Sequence, residues 1–456
     1  MVSDGRHDPE AVRRLLSKAL AEARGGDGEA VYTARDFALT RFANSQIHQN
    51  VIEHDASVRV RLAQDGRTGV ASTNRLDDEG LRDVVSRAMA IRDRAASNPD
   101  APPLPEGSAS PHATLGSSEA TTKADPVLRA SAARAVIAAA DAAHLTASGA
   151  YSTETQTMAV ANTRGVERSE TSTLAKLITV VLNDAGASGY SQSVSVDASD
   201  VDGAAVGAEA VDKARRSAGA QDLEPGEYAV VLEPFAIGTV LEYLSFIGFN
   251  ALAVEEGRSF MELGRQVMGK NVDIWDDGCD ATGVPATLDF EGVPKRRVDL
   301  VSAGIASGLV HDTTTAQRAG TESTGHGLPA PNTWGPLAWN LFMGHGKSST
   351  DELVSQLDRG IWVTRFHYVN IVHEKKAILT GMTKDGTFLV EGGKVVRPIR
   401  NLRFTQAIPE AFTRIAAIGA ETRLVAAEYS GINARVPALL IDRFSFTGAT
   451  AGDGPG

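Results

Sequence analysis

The chain has 456 residues, 42% of them apolar, and a formal net charge of −12. Single hydrophobic cores stop growing near ~250 to 300 residues, so two domains are expected, and the acidic balance with no basic patch argues against a protein that holds nucleic acid directly by neutralising phosphates. The one cysteine, Cys279, excludes an internal disulfide and points to a reducing, cytoplasmic compartment, while neither the charged opening, Met1 to Glu10, nor the most apolar stretch, Val230 to Val254, has the pattern of a signal peptide or membrane span.

From Pro9 to Arg24, leucines and alanines recur at helical spacing, and Gly25, Gly26 and Gly28 stop the pattern. Strands are expected at Phe37 to Phe42, Gln46 to Ile52 and Ser57 to Leu62, then across the Asp65-Gly66 turn at Thr68 to Thr73. Asp77 caps a helix whose stripe is Leu81, Val84, Val85, Ala88 and Ile91. The proline-rich stretch Ser97 to Ala124 reads as a long irregular surface loop. Asp125-Pro126 then opens an alanine-rich helix to about His144. Strands follow at Thr146 to Tyr151, Met158 to Asn162, Ile178 to Asn183 and Gln192 to Val196, and a helix at Gly203 to Ser217.

Leu223-Glu224-Pro225-Gly226 marks the expected boundary between a domain 1–224 and a domain 225–456. The second half opens with an apolar helix, Phe235 to Leu252, and continues in strands: Ala286 to Phe290, Arg296 to Val301, Ile361 to Ile371, Lys376 to Met382, Thr387 to Glu391 and Leu439 to Phe446. The expected class is α+β. An N-terminal antiparallel sheet with flanking helices is joined to a C-terminal β-rich, barrel-like domain built around the apolar helix.

Several motifs in order carry a resemblance: Asp55-Ala56-Ser57-Val58-Arg59-Val60, Gly66 to Ala71 and Ala161-Asn162-Thr163-Arg164-Gly165 in the first half. The second half adds Tyr228 to Pro234, Asp289-Phe290-Glu291-Gly292-Val293-Pro294, Thr321-Glu322-Ser323-Thr324-Gly325-His326, Gly381 to Gly393, Arg397-Pro398-Ile399 and Leu402 to Thr405. Over roughly residues 30 to 446 the chain resembles the TldD/PmbA family. That resemblance implies a heterodimeric peptidase acting on unfolded or leader peptides. In its active subunit, zinc is held on a helix by His-Glu-x-x-x-His and by a distant cysteine, which leaves an open position for a nucleophilic water.

Here the matching helical stretch is Glu242-Tyr243-Leu244-Ser245-Phe246-Ile247, so Glu242 and Ile247 stand at the two histidine positions and Tyr243 at the glutamate. Isoleucine binds no metal, and tyrosine, with a pKa near ~10, is a poor general base. Glu428-Tyr429-Ser430-Gly431, where the cysteine is expected, has none. The resemblance therefore implies the TldE/PmbA side of the family: a non-catalytic subunit with no catalytic, cofactor or metal residues of its own, its zinc expected on a TldD-like partner and its substrate an extended peptide. Other roles remain open for such a chain, as a stand-alone adaptor of the gyrase-modulator type or as a subunit in natural-product maturation.

Glu242 reads first as a helix carboxylate satisfied by a nearby donor. His367 and His373, six apart on a strand, would lie ~20 Å apart and do not share one ion without a bend. Gly344-His345-Gly346-Lys347-Ser348 imitates the end of a phosphate-binding loop, but Leu341 stands where the first glycine belongs and no strand is seen leading into it. Thr324, Gly325 and His326, in a glycine-bounded turn expected to be exposed, and His367 are candidates for contact with peptide or partner; the alternative is a turn whose glycines only set backbone geometry. Cys279 sits among carboxylates, which disfavour a thiolate.

Overall fold

The computed structural model describes residues 5–23, 26–98, 101–427 and 430–449. Helix α1 (Pro9–Glu22) starts at Asp8, whose carboxylate accepts from the Glu10 N–H, and at a first-turn proline. Strands β1 (Asp27–Ala43), β2 (Gln46–Gln64) and β3 (Arg67–Thr73) follow, and then α2 (Asp78–Arg94), capped by Asp77 as expected. The single turn α3 (Glu119–Thr122) precedes α4 (Pro126–Ala142), on which Asp125 caps the Leu128 N–H. Strands β4 (Thr146–Asn162), β5 (Glu167–Leu182) and β6 (Ser188–Ser195) and helix α5 (Gly203–Arg216) complete the first half.

These six strands form one sheet in the order β3-β2-β1-β4-β5-β6, antiparallel throughout. The expected short strands 37–42, 46–52 and 57–62 prove to be parts of two long ones. Their polar middle, including His54 and Asp55, interrupts the apolar pattern, yet the ladder from Asp27↔Ala63 to Ala43↔Gln46 runs on because those side chains reach solvent. Helices cover one face of the sheet: α1 and α2 bury Leu16 and Val85 beside Tyr32 and Val60, and α4 and α5 bury Val136 and Val206 beside Tyr151 and Leu177. Beyond the end of β6, the expected irregular loop takes up the free edge of β5, where Ser110 and Ala113 donate to Glu167 and Ser169 carbonyls.

The second half contributes β7 (Gly226–Leu232), helices α6 (Pro234–Ile247) and α7 (Ala251–Glu255), and strands β8 (Ile274–Asp276), β9 (Val298–Ser302), β10 (Ile305–Ala306) and β11 (Asn340–Met343). Then come β12 (Arg359–His373), β13 (Ile378–Glu391), β14 (Lys394–Pro398), β15 (Leu402–Ala407), β16 (Ile415–Ala426) and β17 (Asn433–Ala449). They make one large mixed sheet, in which the path β17-β15-β13-β12-β7 returns to β17 through the β7–β17 pairing. The parallel pairs are β11–β17 and β7–β12.

Two expectations fail locally. The apolar helix ends at Ile247, five residues early, and residues 286–290 form no strand, only a lone Leu288↔Pro294 bridge around a turn at 290–291. The N–H groups that a strand would offer to one ladder go to scattered acceptors, Ala286 to Gly278, Thr287 to the Glu170 carboxylate, Asp289 to Val293 and Phe290 to Gly327. Among the described residues no helix is long and apolar enough to cross a membrane.

Candidate functional site

Helix α6 lies inside the largest core cluster, with Val240, Leu241, Leu244 and Ile247 packed among residues of β7, β12 and β17. Ile247 is 2% exposed and Glu242 3%. Tyr243 is half-buried, and its hydroxyl donates to the Val369 carbonyl on β12. His367, on the same strand, is half-buried with its ring against Tyr368. The three positions of the zinc pattern therefore do not fit a metal: one has no donor atom and another spends its hydroxyl on a backbone carbonyl. Among the described residues no group of three or more His, Cys, Asp and Glu side chains is placed to hold an ion. Glu428 and Tyr429 lie outside the described residues, so the position expected for the cysteine has no structural account.

The motifs from 289 to 294 and from 321 to 326 interlock instead. Asp289 Oδ1 accepts the Glu291 and Val293 N–H groups, which tightens the first turn, and its Oδ2 accepts from Gly327 at 2.7 Å, which ties that turn to the second. Gly325 has φ +75°, and a Cβ there would lie 2.5 Å from the Pro294 carbonyl oxygen, so only glycine permits the approach. Arg168 on β5 donates to the Gly292 carbonyl at 2.8 Å and docks the pair onto the first sheet.

His326 is fully buried, which corrects the expectation of an exposed turn: two flanking glycines bring the backbones close and leave the imidazole no path outward. Its Nε2 lies 2.8 Å from Asp276 and its Nδ1 2.9 Å from the Thr324 hydroxyl. Burial lowers the histidine pKa; burial also pushes that of Asp276 up, but His326, Lys295 and the Asn340 N–H outweigh it and the aspartate pKa is lowered. An ionised aspartate makes Nε2 the donor, so Nδ1 accepts from Thr324. The row of carboxylate, imidazole and hydroxyl is not a nucleophilic site. Thr324 is itself buried, and its hydroxyl also accepts the His311 N–H at 2.7 Å.

Around this row lies a wider set of buried charges. Lys295 Nζ donates to Asn340 at 2.9 Å, and Glu170 accepts from both the N–H and the hydroxyl of Thr287. Arg61 donates to Glu29 at 2.7 Å and reaches Glu291 at 3.8 Å. Burial, and then the charge of Glu291, push Asp289 up to about 8. Burial likewise raises Glu170 and Glu291.

The network borders a cavity of about 450 Å³ between the helix-free face of the first sheet and the second half. Gln156, Glu170, Leu174 and Lys176 line it from β4 and β5, and Phe290, His326, Trp339 and Asn340 from the other side. None of Glu242, Tyr243, Ile247, Thr324, Gly325 and His367 lines it. The sequence reading missed the β5 members. The available signal was period-two alternation over Glu170, Ser172, Leu174 and Lys176, obscured because polar residues face the cavity.

A strand, β11, does lead into Gly344, contrary to expectation, but the loop after it holds no phosphate cradle. The Gly346 N–H donates to the Gly419 carbonyl, and a Cβ at Gly346 would lie 2.1 Å from the Ile418 oxygen, so the segment is pressed against β16. Cys279 is exposed as a residue, yet its thiol is partly sheltered, and that partial burial, with Asp277 and Glu170, raises its pKa.

Known proteins share this fold. Three family models match: PmbA/TldA metallopeptidase domain 1 over residues 28–92, the central domain over residues 116–218 and the C-terminal domain over residues 225–448. The structure of TldE from Thermococcus kodakarensis superposes with a TM-score of 0.84 at 17% identity, covering 96% of this chain and 100% of that one. A candidate modulator of DNA gyrase from Thermotoga maritima gives 0.83 at 18% identity, covering 96% and 99%. The three family models together define a protein of the metallopeptidase-related class. The chain belongs to the PmbA/TldD family. Metalloprotease TldD homologs from Buchnera aphidicola and Haemophilus influenzae are 26% and 27% identical over 211 and 173 residues, or 44% and 36% of this chain. The matches span 42% and 34% of those relatives, less than half their length.

Proposed function

We propose that this chain is the non-catalytic, TldE/PmbA-like subunit of a heterodimeric, cytoplasmic zinc metalloprotease that acts on unfolded peptides or peptide leaders. Zinc and catalysis belong to a TldD-like partner. The observation that carries this reading is helix α6: Glu242 and Ile247 are sealed in the core and the Tyr243 hydroxyl is spent on Val369. A helix kept in place after losing its metal-binding side chains has a scaffold role. In this reading residues 1–224 and 225–456 act as two domains, and Thr324 and Gly325 support from behind the wall to which His326 belongs.

The test is to purify the chain alone and with a TldD-like partner, then measure bound zinc and cleavage of casein or a leader peptide. Zinc and activity are expected only with the partner. Stoichiometric zinc and full activity in the lone chain would overturn the proposal. If the chain forms no complex with that partner but a stable one with gyrase, an adaptor role takes its place, a reading supported by the gyrase-modulator name of the similar Thermotoga maritima protein.

A further inference from the structure

Of the cations that line the central cavity, Arg35 pairs with Glu154 and Lys295 donates to Asn340, while Lys176 is left without a partner among the described residues. Lys176 projects from β5 among cavity-lining residues, half-buried, and makes no hydrogen bond or ion pair among the described residues. Burial lowers its pKa, which expresses the cost of keeping an ammonium group partly out of water. Glu154 attracts it, but that carboxylate already accepts from Arg35 at 2.7 Å. Glu170, the other carboxylate on this floor, is engaged by Thr287. A ligand anion that reaches Lys176 in this sheltered pocket gains a pair that neither Glu154 nor Glu170, both already engaged, supplies.

The remaining walls describe the rest of the ligand. Trp339, Phe290 and Leu174 supply apolar surface, while Gln156 and Ser172, paired across β4 and β5, bring hydrogen-bonding groups to the floor. The volume of about 450 Å³ falls within the range of pockets that enclose small ligands. An apolar body, a few amide-like partners and one anionic end together describe the C-terminus of a peptide.

We propose that this cavity binds the free C-terminal carboxylate of a peptide, with Lys176 pairing the carboxylate and Trp339, Phe290 and Leu174 receiving the last side chain. The inference rests on the peptide-handling role proposed above, and adds to it that this chain captures peptide ends itself. It has its own test on the lone chain, without partner, zinc or cleavage, so either idea fails independently of the other.

The experiment is calorimetric titration of the full chain with acetyl-Ala-Ala-Leu as the free acid and as its C-terminal amide. The acid is expected to bind about tenfold more tightly, the worth of one charge-assisted hydrogen bond. Lys176→Met should bring the acid down to the affinity of the amide and leave the amide unchanged. Lys176→Arg should keep the preference, and unchanged thermal unfolding of both variants shows that the fold is intact. Equal affinity of acid and amide in the wild-type chain, no binding of either, or a preference that survives in Lys176→Met would overturn the proposal.

Discussion

Lys213 Nζ, on α5, donates to the Glu233 carboxylate at 2.6 Å, and each side chain is 8% exposed. Glu233 occupies the N-cap position of α6, so one buried ion pair joins the last helix of the first half to the apolar helix of the second. Burial would lower the Lys213 pKa, but Glu233 and Glu209 outweigh it and the pKa is raised. Removing one member of a buried pair strands the other, at a typical cost of about 3 kcal/mol or more. Lys213→Met is therefore expected to lower the urea midpoint strongly. The double variant Lys213→Met, Glu233→Leu should recover part of that loss, because it strands no charge at position 233. A double variant as unstable as the sum of the single ones would count against this account.

Glu209 gives the same joint an acid limit. Burial pushes its pKa up, but Lys213 and Arg423 prevail and bring it down to about 2. A carboxylate depressed in the folded state contributes stability that is present above its unfolded value of 4.5 and lost as the pH falls toward 2. The full contribution is on the order of 3 kcal/mol. Glu209→Gln should flatten the fall in thermal midpoint between pH 5 and about 2, measured by circular dichroism; an unchanged profile would exclude this origin.

Asp289 acts in the opposite sense. Its pKa is raised in the folded state, so its contribution is complete below 3.8 and declines as pH rises toward about 8. Glu291→Gln removes the neighbouring charge and brings the Asp289 pKa down. The decline should then end at lower pH, and the slope of the thermal midpoint between about pH 6 and 8 should shrink. A slope identical to wild type would show that the two carboxylates do not titrate together.

Gly325 and Gly257 separate strain from collision. Both have positive φ, +75° and +68°, yet a Cβ at Gly257 meets nothing within 4 Å, whereas at Gly325 it lies 2.5 Å from the Pro294 oxygen. Gly257→Ala should cost about 1 kcal/mol. Gly325→Ala should cost about 3 kcal/mol or more, since the two interlocked turns must part. Chemical denaturation of both variants decides, and equal costs would mean that the turns yield freely.

Restoring the zinc pattern on α6 should fail. Ile247→His places an imidazole in the core cluster and is expected to destabilise by about 2 kcal/mol. The triple variant Glu242→His, Tyr243→Glu, Ile247→His should bind no stoichiometric zinc by elemental analysis. Stoichiometric binding would show that the helix turns its motif toward an open site.

Helix ends were legible because their signals are local: Asp77 and Asp125 each cap an N–H within three residues, and Pro126 presets the first turn. Long strands were less so. The apolar alternation of β1 and β2 breaks wherever a side chain meets solvent, and only the partner strand keeps the ladder going through Asp36 and His54. At residues 286–290 the expected strand fails because its N–H groups go to scattered acceptors, one of them the Glu170 carboxylate from 117 residues away.

Covalent identity alone says which atoms are available. Ile247 has no lone pair to offer a metal wherever it lies, and the ordered motifs from 55 to 405 announce the family without any geometry. The tertiary structure decided what environment those atoms meet: His326 is sealed against Asp276 from 50 residues away, Glu170 is claimed by Thr287 from 117 away, and Lys176 is left unclaimed beside them. The reason is physical. Identity is covalent and local, whereas burial, ionisation and the space of a cavity are set by groups that only folding brings together.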